Sequence, residues 1–255
     1  MPPRFRASCR IKRVRYTRFN QIAARRQSGP YWMPTMSNTL NTAISHAKPG
    51  SLPGSAQPAR SMVYRCTFTG VDELTSLTEL AVLSRTYRQA EWAFLYSPFK
   101  AGQEDGRYPS LAFILEALAQ LPRGVPTAVH FCGSSVRMLL QADPEMQNLA
   151  HAVFSRGGRI QLNFSHLRGD VAPAAIKYFV AHAQGPVILQ HNSANAPLIS
   201  QIEDMPNLHV LFDASGGRGL TPADWPDALS LAPCGYAGGL NAYNLAEELD
   251  RIRTA

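Results

Sequence analysis

From Met62 onward, short apolar runs alternate with longer stretches in which apolar residues recur at helical spacing. The strand-like runs are Val63–Phe68, Trp92–Tyr96, Thr127–Cys132, Arg159–Phe164, Val187–Gln190, His209–Asp213 and Cys234–Ala237. Helical spacing marks Asp72–Arg88, Ser110–Gln120, Ala172–Ala183 and Ala242–Arg251, with Asp72, Ser110 and Asn241 as expected N-caps. Strand, helix, strand in regular alternation predicts a parallel α/β sheet. Glycine-rich loops follow the last two runs, and no GxGxxG follows the first. This favours a (β/α)8 TIM barrel over a doubly wound dinucleotide fold. The count falls one short of eight. Either the eighth βα unit is missing or an N-terminal segment takes its place. Residues 1–61 show no convincing strand, so the expectation is a barrel lacking its eighth unit, truncated or frameshifted at the C-terminus, with both sheet edges left unpaired.

Charge divides the chain in two. Its 255 residues carry a formal +7, but residues 1–61 hold 11 Lys and Arg and no acid. Residues 62–255 hold the other 14 basic residues against all 18 acidic ones, a net −4. The expected organisation is a disordered basic extension over 1–61 and a barrel domain over 62–255. The extension reads as an organellar leader, a basic nucleic-acid-binding arm, or an upstream stretch from a start misassigned ahead of Met62; the last is the expectation. Binding of nucleic acid by the folded part is not expected. Cys9, Cys66, Cys132 and Cys234 are too scattered for a zinc or CxxC motif, and no HxH pair with a downstream acid marks a metal site. No apolar run approaches the ~18 residues of a membrane span. These features lead to the expectation of a cytoplasmic protein with free thiols, no membrane contact, no metal and no cofactor.

In a barrel, the C-terminal ends of the strands carry the chemistry. Asp213 ends one run, in Phe212-Asp213-Ala214-Ser215-Gly216-Gly217-Arg218-Gly219. A carboxylate there either protonates a leaving oxygen or stabilises a turn. Gly216, Gly217 and Gly219, with Gly238 and Gly239 one unit later, either cradle a phosphate on bare N–H groups or make tight turns. Arg218 either adds a cation to that site or faces solvent. Cys66, in the first run, is either a thiolate base or a small buried thiol. Polar residues crowd the other strand ends: Ser97, His130, Cys132, Gln161, Asn163, Gln190 and Asn192. Such a ring suits a hydroxylated ligand, although the histidines also read as hydrogen-bonded scaffold. Arg107 is a candidate for an anionic group, and the loop Lys100–Gly106 has the composition of a lid.

These residues resemble the phosphoribosylanthranilate isomerase family of tryptophan biosynthesis, over roughly 62–251. The likeness lies in Cys66-Thr67-Phe68-Thr69 followed by Asp72-Glu73; Ser97-Pro98 with Arg107-Tyr108; Gln161-Leu162-Asn163; Phe212-Asp213 with Gly216-Gly217-Arg218-Gly219 and Asp224-Trp225; and Ala237-Gly238-Gly239-Leu240-Asn241. Strands one, six and seven carry the specific matches. The departures are Thr67 for a glycine, Asn163 for a histidine, an arginine displaced after Ser97-Pro98, and the missing eighth strand. The resemblance implies an Amadori rearrangement of a phosphorylated sugar amine without cofactor. Asp213 would open the ribose ring, and Cys66 would remove the C2 proton. Phosphate would sit on Gly216, Gly217, Gly219, Gly238 and Gly239, with Arg107, Gln161, Asn163 and Gln190 contacting substrate. A different phosphosugar isomerase or lyase, or a barrel that only binds a phosphorylated ligand, remains open.

Overall fold

The order of elements along the chain follows the expected alternation. A computed structural model describes residues 19–26, 62–102, 107–164, 172–193 and 195–254. Its strands are β1 (Phe19–Arg26), β2 (Met62–Thr69), β3 (Ala90–Tyr96), β4 (Thr127–Cys132), β5 (Arg159–Asn163), β6 (Val187–His191), β7 (Leu208–Phe212) and β8 (Cys234–Tyr236). The helices are α1 (Leu77–Thr86), α2 (Leu111–Gln120), α3 (Ser134–Leu140), α4 (Pro144–Phe154), α5 (Pro173–His182), α6 (Ala196–Ile199) and α7 (Leu245–Thr254). Strands β2 to β8 are parallel, each paired with the next, in a TIM-like α/β fold.

The strand count resolves at the N-terminus. β1 runs antiparallel between β2 and β8, pairing Ile22 with both Cys66 and Tyr236, and the sheet closes as β1-β2-β3-β4-β5-β6-β7-β8. No eighth βα unit occurs among the described residues; an antiparallel strand holds its position. The expectation that residues 1–61 contain no strand is thereby corrected. Phe19–Arg26 (FNQIAARR) lacks a clean alternation, and the unpaired edges of β2 and β8 supply the hydrogen bonds that make it a strand. The rest of the basic extension, and its expected disorder, lies outside the described residues.

Local signals set the helix starts. Ser110 caps α2 as expected, its hydroxyl accepting from the Phe113 N–H at 3.2 Å. Asp143 caps α4 with Pro144 at the first position. Asp72 does not cap α1. Ser76 does, and Asp72 instead accepts from Leu74 N–H and the Thr75 hydroxyl in the turn before it. Asn241 likewise holds a turn, accepting from Tyr243 N–H at 2.9 Å, and α7 begins at Leu245.

Two faces of the sheet are distinguishable. Glu91 on β3 and Arg159 on β5 reach each other past β4, which only side chains on the inner face can do. Alternation then sends Thr67, Ala93, His130, Gln161, Ile188, Leu211 and Ala237 inward. Ile188, Leu211 and Ala237 form a small core of their own inside the barrel. The opposite face, with Trp92, Phe94, Phe131, Ile160, Leu162 and Val210, packs on the helices in one large core. Among the described residues, no helix is long and apolar enough to cross a membrane.

Candidate functional site at the mouth of the barrel

The floor of the barrel is a closed ionic cluster. Glu91 is fully buried and accepts from Arg159 Nε at 2.9 Å, from Arg159 Nη2, from Arg65 Nη1 at 3.1 Å and from the Thr67 hydroxyl at 2.9 Å. Arg159 also meets His209 Nδ1 at 3.4 Å. Burial alone would raise the Glu91 carboxyl, but Arg159, with Arg65 and Thr67, outweighs it and holds the group at about 2. Glu91, Arg159 and His209 all sit at the N-terminal starts of their strands. That end of a barrel serves stability rather than chemistry.

Cys66 belongs to this end, and the expectation that it faces the mouth is corrected. Its neighbours Arg65 and Thr67 both bond Glu91 on the inner face, so alternation turns Cys66 outward. There it packs against the large helix-side core. Its register partner is Ala90, the first residue of β3. Burial, with Glu91 adding, pushes its thiol up to about 12. A thiol in that position is a core residue.

Asp213 does face the mouth. It directly follows β7 on the inner parity and is only 4% exposed. Its Oδ1 accepts from the Ser215 hydroxyl at 2.8 Å, and its Oδ2 accepts from Gly217 N–H at 2.8 Å and from Gln190 Nε2 at 3.4 Å. The carboxylate therefore organises its own loop while one oxygen also meets Gln190 on the neighbouring strand β6.

The same contacts revise the first glycine loop. Gly216 N–H bonds Asp213 O, Gly217 N–H bonds the Asp213 carboxylate, and Gly219 N–H bonds Ser215 Oγ. These donors hold Asp213 in place and are not presented to an anion, contrary to the expected cradle. Arg218 is held by Nε to Ser215 O at 2.8 Å. The second loop differs. No described residue accepts from the N–H groups of Gly238 or Gly239. A Cβ at Gly238 would fall 2.6 Å from Leu220 O, and one at Gly239 would overlap Thr221 Oγ1. Both residues have positive φ, so glycine is required twice over. The second loop thus packs directly on the segment that follows the first.

The remaining candidates converge on the mouth. Gln161 Nε2 donates to Asn163 Oδ1 at 2.6 Å, and Asn163 Nδ2 donates to Cys132 Sγ at 3.4 Å. Beneath them, Gln161 Oε1 and His130 Nε2 are buried with no hydrogen-bond partner among the described residues. Burial lowers the His130 imidazole to about 4, with Glu91 opposing and Arg159 assisting. The imidazole is therefore neutral, and the scaffold role expected of the histidines leaves one of its nitrogens unexplained. Arg107 and Lys100, from the loop after β3, lie close enough to Cys132 to pull electrostatically on its thiol. Both cations also lie over the Tyr108 ring, at 5.9 and 5.1 Å. Residues 103–106 of the expected lid lie outside the described residues. Sequence reasoning passed over Glu91, Arg159 and Ser215; a carboxylate and a guanidinium each opening an apolar run were the available signal. A separate cleft of about 360 Å³ lies on the outer side of β6 and β7, lined by His191, Phe212, Pro222 and Trp225 among others.

Among the described residues no cluster of His, Cys, Asp and Glu could hold a metal ion. No protein-family model and no curated protein matches this chain. Among solved structures it is similar to phosphoribosyl anthranilate isomerase from Thermotoga maritima. The identity is 16% over 73% of this chain and 82% of that one, at a TM-score of 0.43.

Proposed function

We propose that the chain is an isomerase of the phosphoribosylanthranilate isomerase type, converting a phosphorylated sugar amine from aldose to ketose at the mouth of its barrel. One observation carries this: a carboxylate that is nearly buried, held at the end of β7 by Gly217 and Ser215, and meeting Gln190 of the barrel interior. The sequence resemblance around Asp213 and Gly238-Gly239 supplies the reaction.

In this reading Asp213 protonates the ring oxygen as the C1–O bond breaks, leaving an iminium at C1. Loss of the C2 proton gives an enolamine, which tautomerises to the ketose. Gln190, Gln161 and Asn163 offer amide groups to the sugar hydroxyls. The phosphate falls to Gly238 and Gly239, whose N–H groups have no other acceptor among the described residues, and Arg107 adds a cation at the rim.

The position of Cys66 favours a second reading, a barrel that binds a phosphorylated ligand without turnover, because the base implied by the resemblance is not at the mouth. A turnover assay separates the two. The full chain is incubated with phosphoribosylanthranilate and the ketose is quantified beside Asp213→Asn. Product from the parent, reduced at least about 100-fold in the variant, supports the isomerase. Ligand-induced stabilisation without product from either supports the binding barrel.

A further inference from the structure

We propose that Cys132, and not Cys66, is the thiol of this site, facing the ligand at the barrel mouth and serving as the base that removes the C2 proton. The proposal rests on the isomerase reading for its reaction and on the geometry for its residue.

Cys132 is the last residue of β4 and the register partner of Asn163, the last residue of β5. It shares the inner parity of His130, which places it three strands from Asp213 around the barrel. Acid and base would then approach the sugar from different sides of the mouth. The residue is half-buried, and its sulfur receives the Asn163 amide at 3.4 Å. Its own weak donation goes to His130 O at 3.5 Å.

A second observation points to a ligand at this place. His130 and Gln161, register partners one layer below, are each 1% exposed, and each keeps a polar atom without a partner among the described residues. A buried polar atom left unmatched costs about 1 to 3 kcal/mol, so two adjacent ones under the mouth mark a surface built to be completed by a hydroxylated molecule. The chain Gln161 to Asn163 to Cys132 extends from that floor to the thiol.

The step balances. The Cys132 thiolate takes the C2 proton and becomes a thiol. The C2–H electron pair forms the C1=C2 bond, and the iminium π pair returns to nitrogen. Asp213 has already given its proton to the ring oxygen. Exchange with solvent restores both groups, and protonation at C1 with loss of the C2 hydroxyl proton to solvent completes the ketose. Burial raises the Cys132 thiol against the pull of Asn163, Arg107 and Lys100, so the thiolate fraction, and kcat/KM with it, is expected to climb through the alkaline range.

Two measurements on the full-length chain test this. In the turnover assay, Cys132→Ala and Cys132→Ser are expected to lose at least about 100-fold in kcat/KM, while Cys66→Ala keeps activity close to the parent. The reverse order overturns the proposal. In the parent, iodoacetamide labelling read by mass spectrometry is expected to modify Cys132 well before Cys66. Ribose 5-phosphate should slow Cys132 labelling by about 1 + [L]/Kd, roughly tenfold at ten times Kd. An inactive parent defeats the isomerase reading and with it the base. Labelling then decides the thiol's place: protection keeps Cys132 in the ligand site, and unprotected or slower labelling than at Cys66 removes it.

Discussion

Replacing Glu91 by glutamine removes the carboxylate at the centre of the barrel-floor cluster while keeping its shape. The Glu91 carboxyl lies at about 2 against an ordinary 4.5, and at about 1.4 kcal/mol per tenfold change in proton affinity this corresponds to about 3 kcal/mol of stability. Arg159, 5% exposed at its side chain, is then left buried without a counter-charge, which puts the total loss in Glu91→Gln at about 3 to 5 kcal/mol. For a domain of this size that lowers Tm by roughly 6 °C or more. The pH dependence follows from the sign. A carboxyl lowered in the folded state contributes stability that is present above its unfolded value of 4.5 and lost as pH falls toward 2. The gap between parent and Glu91→Gln is therefore constant from pH 7 to about 5, and by about pH 3 more than half of the carboxylate's contribution is gone. Urea unfolding followed by circular dichroism at several pH values measures both quantities. A variant within about 1 kcal/mol of the parent at pH 7, or a gap that does not narrow in acid, would refute the floor cluster as a buried ion pair. Substituting Glu91 and Arg159 together by apolar residues should recover most of the loss, because no charge is then stranded.

Other perturbations test other parts of the architecture. Deleting residues 1–61 removes β1 and exposes the edges of β2 and β8; lowered Tm and self-association in light scattering are expected, at about 1 to 3 kcal/mol for each backbone group left unmatched. A deleted chain that melts like the parent as a monomer would show that β1 does not close the barrel. Gly239→Ala forces a Cβ 2.8 Å from Thr221 N at a φ of +61°. It should cost about 1 to 3 kcal/mol and abolish stabilisation by inorganic phosphate in a thermal shift assay. Trp225→Phe removes the 2.7 Å bond from Nε1 to Glu248. A loss of about 1 to 3 kcal/mol in urea unfolding is expected, toward the low end because Arg251 still holds that carboxylate at 2.9 Å.

Sequence periodicity alone determined the alternation of strands and helices and put Asp213 at a strand end. Those features are local: a period of two or 3.6, a cap such as Ser110, or a glycine with positive φ is encoded within a few residues. The tertiary structure decided what depends on distant partners. Phe19–Arg26 becomes a strand because β2 and β8 offer unpaired edges, a condition invisible in its own eight residues. Cys66 and Cys132 look alike in sequence, as cysteines in apolar runs. Parity and register send the first outward at the floor and the second inward at the mouth, since a shift of one residue exchanges the two faces of a strand. The glycines after Asp213 suggested an anion cradle, but three-dimensional closure of the loop gives their N–H groups to Asp213 and Ser215 instead. Glu91 and Arg159 lie far apart in the chain, and only the closed barrel makes them a pair.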